Sequence, residues 1–433
     1  MVSLTSIFGR FHSYKALVIG DFMLDTYTIG KVERVSPEAP VTVLNVEREE
    51  ERPGGAGNVA LNISALGGDV VCLGRVGDDS AGEKIRALLP GDGLVVQKSM
   101  QTPVKNRIIA ENQQIVRVDF ERLEALDMEC EEKLLKSFYR HLKEVDIVAI
   151  SDYGKGMLSR SFLRKIIEGA REQKISVIID PKGSDYTKYY GADIIKPNLK
   201  EAYLAVGAET AESLDSVAEK LLEITGSKNI IITRSQDGIA LYERGQEVQN
   251  FSVVAREVID VTGAGDTVLS VLTCAIANGM SLSDSIKIAN VAAGIAIERF
   301  GCAHVDLNDI AQCLLEISSE DKIFQEHHIF ALEQISQKKT ITILAVHSSV
   351  GLTYDLFKNI KALSNDNSSQ LILYIRDTHP EDDFISLLSS LKEVSMIVLK
   401  EEGLRSLCEH LSPKHVYLFK DKTVCLVEDW NLL

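Results

Sequence analysis

The sequence predicts an α/β protein: a doubly wound parallel sheet carrying a small β lid, followed by a smaller Rossmann-like α/β domain. Three observations lead there. From Val145 onward, short apolar strands alternate with helical stretches. Several of those strands end in Asp, Lys, Asn or Thr beside Gly or Pro, as in Asp180-Pro181-Lys182 and Lys196-Pro197-Asn198. Beyond residue 322 the alternation recurs in miniature. At 433 residues the chain suits two domains.

Composition narrows the classes of function. A net charge of −16 argues against nucleic acid as a partner, because a phosphate backbone needs clustered Lys and Arg. No apolar run is long enough to span a bilayer, so no membrane partner is expected. The stretch Met1-Val-Ser-Leu-Thr-Ser6 lacks the basic and apolar regions of an export signal, so a cytoplasmic protein is expected. The seven cysteines are scattered without a CxxC pair, which predicts buried free thiols.

The first strand is read at Ala16–Ile19, running into Gly20-Asp21 and Asp25. Carboxylates at the C-terminal edge of a strand lie where open α/β sheets bind ligands, although Asp21 suits turn chemistry equally. Accessory strands are expected around Arg34–Pro40 and Val41–Val46, with the charge run Glu47–Arg52 as a solvated hairpin tip. Pro53-Gly54-Gly55-Ala-Gly-Asn58 then opens a helix. Its glycines let backbone approach a ligand closely, and Asn58 offers a polyol both a donor and an acceptor. Val70–Val76 is another buried strand; Gly77–Lys84 approximates a P-loop but carries Glu83 where Lys is required. Lys105–Ala110 and Gln114–Phe120 read as paired strands whose cations Lys105, Arg107 and Arg117 either meet an anionic group or face water.

The later strands are read at 147–150, 176–180, 193–196 and 229–233. In a doubly wound sheet their ends share one edge, which brings Asp152, Lys155, Lys182, Asn198, Glu201, Thr233 and Gly238 towards one cleft. Asn198 and Glu201, one helical turn apart, suit either a hydrated Mg²⁺ or a capping box.

The most informative stretch is Glu257–Leu272, read as strand, tight turn and helix. Gly263 and Gly265 allow a turn at positive φ, and apolar residues recur at helical spacing from Thr267 until Asn278-Gly279. The backbone N–H groups of Ala264, Gly265 and Asp266 would then face an anion at a helix N-terminus. Asp266 beside such a cradle is either the helix cap or a base that takes a proton from an attacking hydroxyl. Gly263-Ala-Gly265 also opens like a dinucleotide fingerprint, but Val268 stands where its third glycine belongs. The second of the readings of Asp266 describes a kinase for a small hydroxylated molecule.

With these residues in place, residues 10–310 resemble the ribokinase (PfkB) family of sugar kinases. Gly55 and Asn58 match its N-terminal glycine-rich signature, and Asp260-Val-Thr-Gly-Ala-Gly-Asp266-Thr matches its C-terminal one. Within that family Arg34–Pro40, Asn112–Glu121 and Ser151-Asp-Tyr-Gly-Lys-Gly156 resemble the kinase half of bacterial bifunctional heptose enzymes. The resemblance implies a ribokinase-like fold and a homodimer. It also implies ATP- and Mg²⁺-dependent phosphorylation of D-glycero-β-D-manno-heptose 7-phosphate at C1, on the way to ADP-heptose and lipopolysaccharide core. It makes Asp266 the base and Gly263, Ala264 and Gly265 the anion hole. Asn198, Leu199, Lys200, Glu201, Thr233, Gly238 and Asn290 fall on the ATP side, with Asn198 and Glu201 at the metal. Asp21, Asp25, Gly54, Gly55, Asn58 and Asp152 fall on the sugar. Lys155, Lys182 and Arg107 are candidates for the 7-phosphate by charge.

The expected domains are 1–317, a linker at 318–322, and 323–433, with a helix at Leu307–Ile317 closing the first. Strands are expected in the second at 341–346, 370–375, 395–399 and 416–419. This pattern resembles the nucleotidylyltransferase half of the same enzymes, which requires HxGH after its first strand. Here the stretch is Val346-His-Ser-Ser-Val-Gly-Leu-Thr-Tyr-Asp355, with His347 alone. A domain lacking both imidazoles in register is expected to serve packing, dimerisation or regulation rather than adenylyl transfer.

Overall fold

Apolar, β-branched runs too short for helices build the central sheet. In the computed structural model the residues described are 11–427 apart from 112, 210, 254–257, 300, 302–303, 318–321, 326–331, 334–339, 365–368, 402 and 421. Of these, residues 13–305 form one unit and residues 306–427 a second, with which Phe11 and His12 are grouped.

The strands of the first unit are β1 (Lys15–Gly20), β2 (Phe22–Val35), β3 (Thr42–Gly55), β4 (Asp69–Val76), β5 (Leu94–Val96), β6 (Val104–Ala110) and β7 (Gln113–Phe120). They continue with β8 (Ile147–Ser151), β9 (Ser176–Asp180), β10 (Ile194–Ile195), β11 (Asn229–Thr233), β12 (Ile239–Glu243) and β13 (Gln249–Phe251). Nine make one sheet in the order β13-β12-β11-β10-β9-β8-β1-β4-β5, parallel except at the β11-β12-β13 edge. The chain moves from β1 outward to β4 and β5, then returns to β8 on the other side of β1. That reversal opens the crevice where such sheets bind ligands. It lies at the ends of β1 and β8, where Asp21 N–H donates to the Ser151 carbonyl at 3.2 Å.

Both faces of the sheet are covered, which is why its strands are continuously apolar. Val148, Ile150, Val177 and Ile179 pack against Phe138, Phe162, Leu163 and Leu221. Ile147, Ala149 and Ile178, which alternate with them, are equally buried. Helix Ala264–Ala277 packs against β8 and β9 and against helices Ala56–Ala65 and Leu282–Ile297.

The lid is a four-stranded sheet, β3-β2-β6-β7, and is longer than the sequence suggests. Strand β2 begins at Phe22 and runs through Asp25. The Glu47–Arg52 run, expected at a hairpin tip, lies inside β3. The turn falls instead at 36–41, where Ser36 N–H donates to the Val41 carbonyl at 2.8 Å. Opposite charges meeting across the strands, such as Lys31 and Glu47 at 2.8 Å, let a charged run remain extended. The strand expected before the Asp266 turn is also missing from the described part of that stretch. Val258, Ile259 and Val261 are more than half exposed and join no sheet; Glu257 lies outside the described residues.

In the second unit the strands are β14 (Ile323–Gln325), β15 (Thr340–Val346), β16 (Ser369–Ile375), β17 (Met396–Leu399), β18 (His415–Lys420) and β19 (Thr423–Leu426). Their order is β14-β17-β16-β15-β18-β19, parallel except for β18-β19. Leu344, Val346, Leu356, Ile360, Leu373, Phe384 and Leu388 form its core. Helix Leu307–Ile317, expected to close the first unit, is grouped with the second. Of the expected linker only Lys322 is among the described residues. The described cysteines are free, and all but Cys425 are buried; Cys302 lies outside them.

Candidate active site

Asp266 sits in the first turn of helix Ala264–Ala277 and is 4% exposed. Its carboxylate does not cap the helix. The N-cap is Gly263 at φ 78°, with no side-chain cap bond. Both oxygens turn into the cleft instead: Oδ2 accepts from Asn58 Nδ2 at 2.8 Å and Oδ1 from the Tyr153 hydroxyl at 2.9 Å. Burial pushes the acid up to about 7, opposed by the Asn58 bond, reinforced by the nearby Asp180 charge and opposed again by Tyr153 and Lys196. A carboxylate poised there can accept a proton from a hydroxyl at neutral pH.

The anion cradle is narrower than the sequence suggested. Ala264 N–H donates to the Val261 carbonyl at 3.3 Å and is already engaged. Among the described residues, the N–H groups of Gly265 and Asp266 have no acceptor, so they are the donors open to an anion. Gly265 is not at positive φ; only Gly263 is. The value of Gly265 lies in space: a Cβ there would point towards Lys196 Nζ at 3.8 Å and Asp180 Oδ2 at 3.9 Å, with nothing closer. Lys196, 2% exposed, pairs with Asp180 at 3.0 Å and brings a buried cation to the cradle.

A cavity of about 210 Å³ gathers Asp266, Gly263, Gly265, Asp152, Tyr153, Asp180, Lys182, Lys196, Asn198, Glu201 and Thr233. Of the strand-end residues expected at one edge, Asp152, Lys182, Asn198, Glu201 and Thr233 meet here, whereas Lys155 does not line the cavity. Gly238 and Asn290 do not line this cavity. Gly238 makes a turn at φ 79° whose Cβ would strike the Phe251 carbonyl at 2.0 Å. Asn290 Nδ2 donates to the carbonyls of Phe251 and Ser252 at 2.9 and 3.2 Å. Both hold the β12-β13 edge.

Asn198 and Glu201 form the complete capping box of helix Leu199–Val206, whose first residues are Leu199 and Lys200. Glu201 Oε2 accepts from Asn198 N–H at 3.0 Å, and Oε1 accepts from Lys182 Nζ at 2.7 Å. Capping leaves lone pairs on both carboxylate oxygens. The hard oxygen donors of Glu201 and Asp180 therefore fit a hydrated Mg²⁺, which takes few protein ligands. Among the described residues, no three His, Cys, Asp or Glu converge on one metal position.

On the opposite side, Asp21 is buried and accepts from the N–H groups of Tyr153 and Lys155, both at 3.0 Å. Burial and the neighbouring Asp152 raise it to about 6. Gly55 is at φ 58°, and a Cβ would meet the Asp21 carbonyl at 2.6 Å; at Gly54 it would meet Asp25 Oδ2 at 2.2 Å. These glycines thus let β3 pass against the two aspartates. Asp152 accepts from Gly154 N–H at 2.7 Å, Lys188 Nζ at 2.5 Å and the Tyr189 hydroxyl at 2.8 Å, so it anchors the loop. The three cations read as phosphate binders each hold a carboxylate. Arg107 pairs with Asp25 at 2.6 Å, Lys155 with Glu121 at 2.7 Å and Lys182 with Glu201.

Sequence reasoning passed over Tyr153 and Lys196 as site residues. Both lay within motifs already noted, Ser151–Gly156 and Lys196–Glu201, beside the carboxylate and amide that drew attention first.

The stretch that holds Asp266 also lies within the part of the chain that the sequence comparison matches. Residues 14–309 match the family model for pfkB family carbohydrate kinases. The chain belongs to that family. This sugar kinase is 43% identical over 327 residues to the bifunctional protein HldE of Trichlorobacter lovleyi, covering 73% of the chain and 67% of the relative. It is 44% identical over 316 residues to HldE of Geobacter sulfurreducens, covering 71% and 64%. For HldE of Campylobacter jejuni the figures are 40% over 329 residues, 76% and 70%. The matched part thus spans about two-thirds of these relatives' lengths. Among solved structures, Arabidopsis thaliana ribokinase complexed with ribose and ATP superposes with a TM-score of 0.55 at 19% identity, over 70% of this chain and 99% of that one. Escherichia coli phosphofructokinase-2 in complex with potassium gives 0.57 at 20% identity, over 70% and 99%. At such identities the likeness establishes the ribokinase-like fold.

In the second unit His347 follows β15. Its Nε2 pairs with Asp377 at 2.5 Å and its Nδ1 meets Ser349 Oγ at 2.8 Å. No helix among the described residues is long and apolar enough to cross a membrane.

Proposed function

We propose that this kinase transfers the γ-phosphoryl group of ATP to C1 of D-glycero-β-D-manno-heptose 7-phosphate, giving the 1,7-bisphosphate. The observation that carries the chemistry is the buried Asp266 carboxylate, raised to about 7 beside the N–H donors of Gly265 and its own backbone. The choice of sugar is supported by the 40–44% identity to HldE proteins. Asp266 takes the proton of the sugar hydroxyl as the oxygen attacks phosphorus. Its neighbours Asn58 and Tyr153 hold it in line. The Gly265 and Asp266 N–H groups and Lys196 receive the charge that develops on the transferred group. Mg²⁺ held near Glu201 and Asp180 would supply charge neutralisation of the polyphosphate.

The second unit is proposed to lack adenylyltransferase activity, because His347 has no second histidine in register and is engaged by Asp377 and Ser349. A cytoplasmic homodimer completes the proposal. The test is ATP consumption by the whole protein against paired sugars and sugar phosphates, with Asp266→Asn as control. Selective turnover of the heptose 7-phosphate, lost in the variant, is the expected result. Selective turnover of another sugar would keep the kinase and refute the heptose assignment. Production of ADP-heptose from ATP and the sugar 1-phosphate would refute the inactive second unit.

A further inference from the structure

We propose that Lys105 forms the subsite for a phosphate monoester carried by the sugar at the end remote from the hydroxyl that Asp266 deprotonates. This rests on the sugar kinase reading and names the group that selects its substrate.

Charge pairing in the lid leaves one cation over. Four cations cluster there: Lys105, Arg107, Arg117 and Lys155. The carboxylates among them are Asp25, Asp119 and Glu121, and each has its own cation. Asp25 pairs with Arg107 at 2.6 Å, Asp119 with Arg117 at 2.8 Å and Glu121 with Lys155 at 2.7 Å. Lys105 is the remainder, a local surplus of positive charge on a chain whose net charge is −16. Among the described residues no carboxylate lies within ion-pair reach of its ammonium. Its cross-strand neighbours, Asp25 in β2 and Asp119 in β7, are the very groups already paired. Partial burial, with the like charges of Lys155 and Arg117, holds its ammonium below the ordinary lysine value. An unpaired, desolvated cation costs free energy unless an anion arrives.

Geometry then limits how far that anion lies from Asp266. Lys105 Nζ lies 5.1 Å from the centroid of the Tyr153 ring, and the hydroxyl of the same ring donates to Asp266 Oδ1 at 2.9 Å. The distance from ammonium to base is therefore bounded by those two contacts and the ring between them. A six- or seven-carbon sugar phosphate is long enough to bridge a separation within that bound, from its phosphate to the hydroxyl at its other end. Lys105 belongs to β6 of the lid, whereas Asp266 belongs to the core, so a substrate satisfying both spans the cleft.

The experiment measures kcat and KM for wild type, Lys105→Gln and Lys105→Arg on matched pairs: heptose with heptose 7-phosphate, and ribose and fructose with their terminal phosphates. The expected result is a KM for the phosphorylated member raised roughly 10- to 100-fold in Lys105→Gln, as for loss of a charge-assisted bond. Its kcat should hold, its unphosphorylated partner should be unaffected, and Lys105→Arg should recover much of the loss. If another sugar phosphate proves the substrate, the same split for that pair upholds the subsite while the heptose assignment falls. Equal losses on both members of a pair, an unchanged KM, or a wild type that prefers unphosphorylated sugars would overturn it. Calorimetric titration with heptose 7-phosphate in the absence of ATP reads the same subsite without turnover, and equal affinity in wild type and Lys105→Gln would also refute it.

Discussion

Tyr153→Phe removes one oxygen from the site and leaves the ring that Lys105 covers. The lost hydroxyl donates to Asp266 Oδ1 at 2.9 Å, a bond that favours the charged carboxylate and so lowers its pKa. Hydrogen bonds to charged groups contribute about 1.5–3 kcal/mol, and one pH unit corresponds to about 1.4 kcal/mol. The variant's base should therefore titrate about 1–2 units above the wild-type value of about 7. The sign follows directly: a carboxylate raised further is protonated over a wider range, so activity at neutral pH falls and returns as pH rises. The assay is kcat/KM for the sugar between pH 5.5 and 9.5. Wild type should lose about tenfold per unit below its limb, and Tyr153→Phe should show a parallel limb displaced upward. At pH 7 the variant should be slower by roughly 5- to 50-fold, with most of the loss recovered by pH 9. A rate lowered equally at every pH would show that Tyr153 acts through substrate contact or folding, and an unmoved profile would show that the bond has no influence on the base.

Five further variants have expected outcomes. Asp266→Asn should fold and bind sugar yet turn over roughly 10²- to 10⁴-fold more slowly, as measured by coupled ADP release. Gly263→Ala, forced to φ 78°, should lose about 1–2 kcal/mol of stability in denaturant titration, whereas Gly265→Ala should keep stability and lose phosphoryl transfer. Arg75 is 2% exposed and donates to the carbonyls of Glu124, Ala125 and Lys155 and to Gln97 Oε1, so Arg75→Met should lower Tm and release the Tyr153 loop to protease. His347→Ala should leave sugar phosphorylation unchanged, since its partners Asp377 and Ser349 lie within its own unit.

What was legible in the sequence follows periodicity and special backbone. The parallel sheet could be read because strands buried on both faces are continuously apolar, as Ile147–Ile150 and Ile230–Ile232 are. The Asp266 turn was visible because Gly263 needs positive φ. The lid was underestimated because β2 and β3 are stabilised by cross-strand charge pairs, which leave no apolar alternation to detect. Val258–Val261 misled in the opposite sense, since β-branched residues were present without a neighbouring strand. Ion pairing was the least legible. Arg107, Lys155 and Lys182 looked available by charge, but their partners Asp25, Glu121 and Glu201 lie 82, 34 and 19 positions away and meet them only in the fold.

The lid joins the core through two short couplings. Only Asp21 separates β1 of the core from β2 of the lid, and β3 passes from Gly55 straight into helix Ala56–Ala65. Neither joint has slack. Both couplings meet at one point, where a Cβ on Gly55 would lie 2.6 Å from the Asp21 carbonyl. Three residues beyond Gly55 on the same segment stands Asn58, whose Nδ2 lies 2.8 Å from Asp266 Oδ2. The sheet that covers the cleft and the helix whose Asn58 meets Asp266 are therefore parts of one continuous segment of chain.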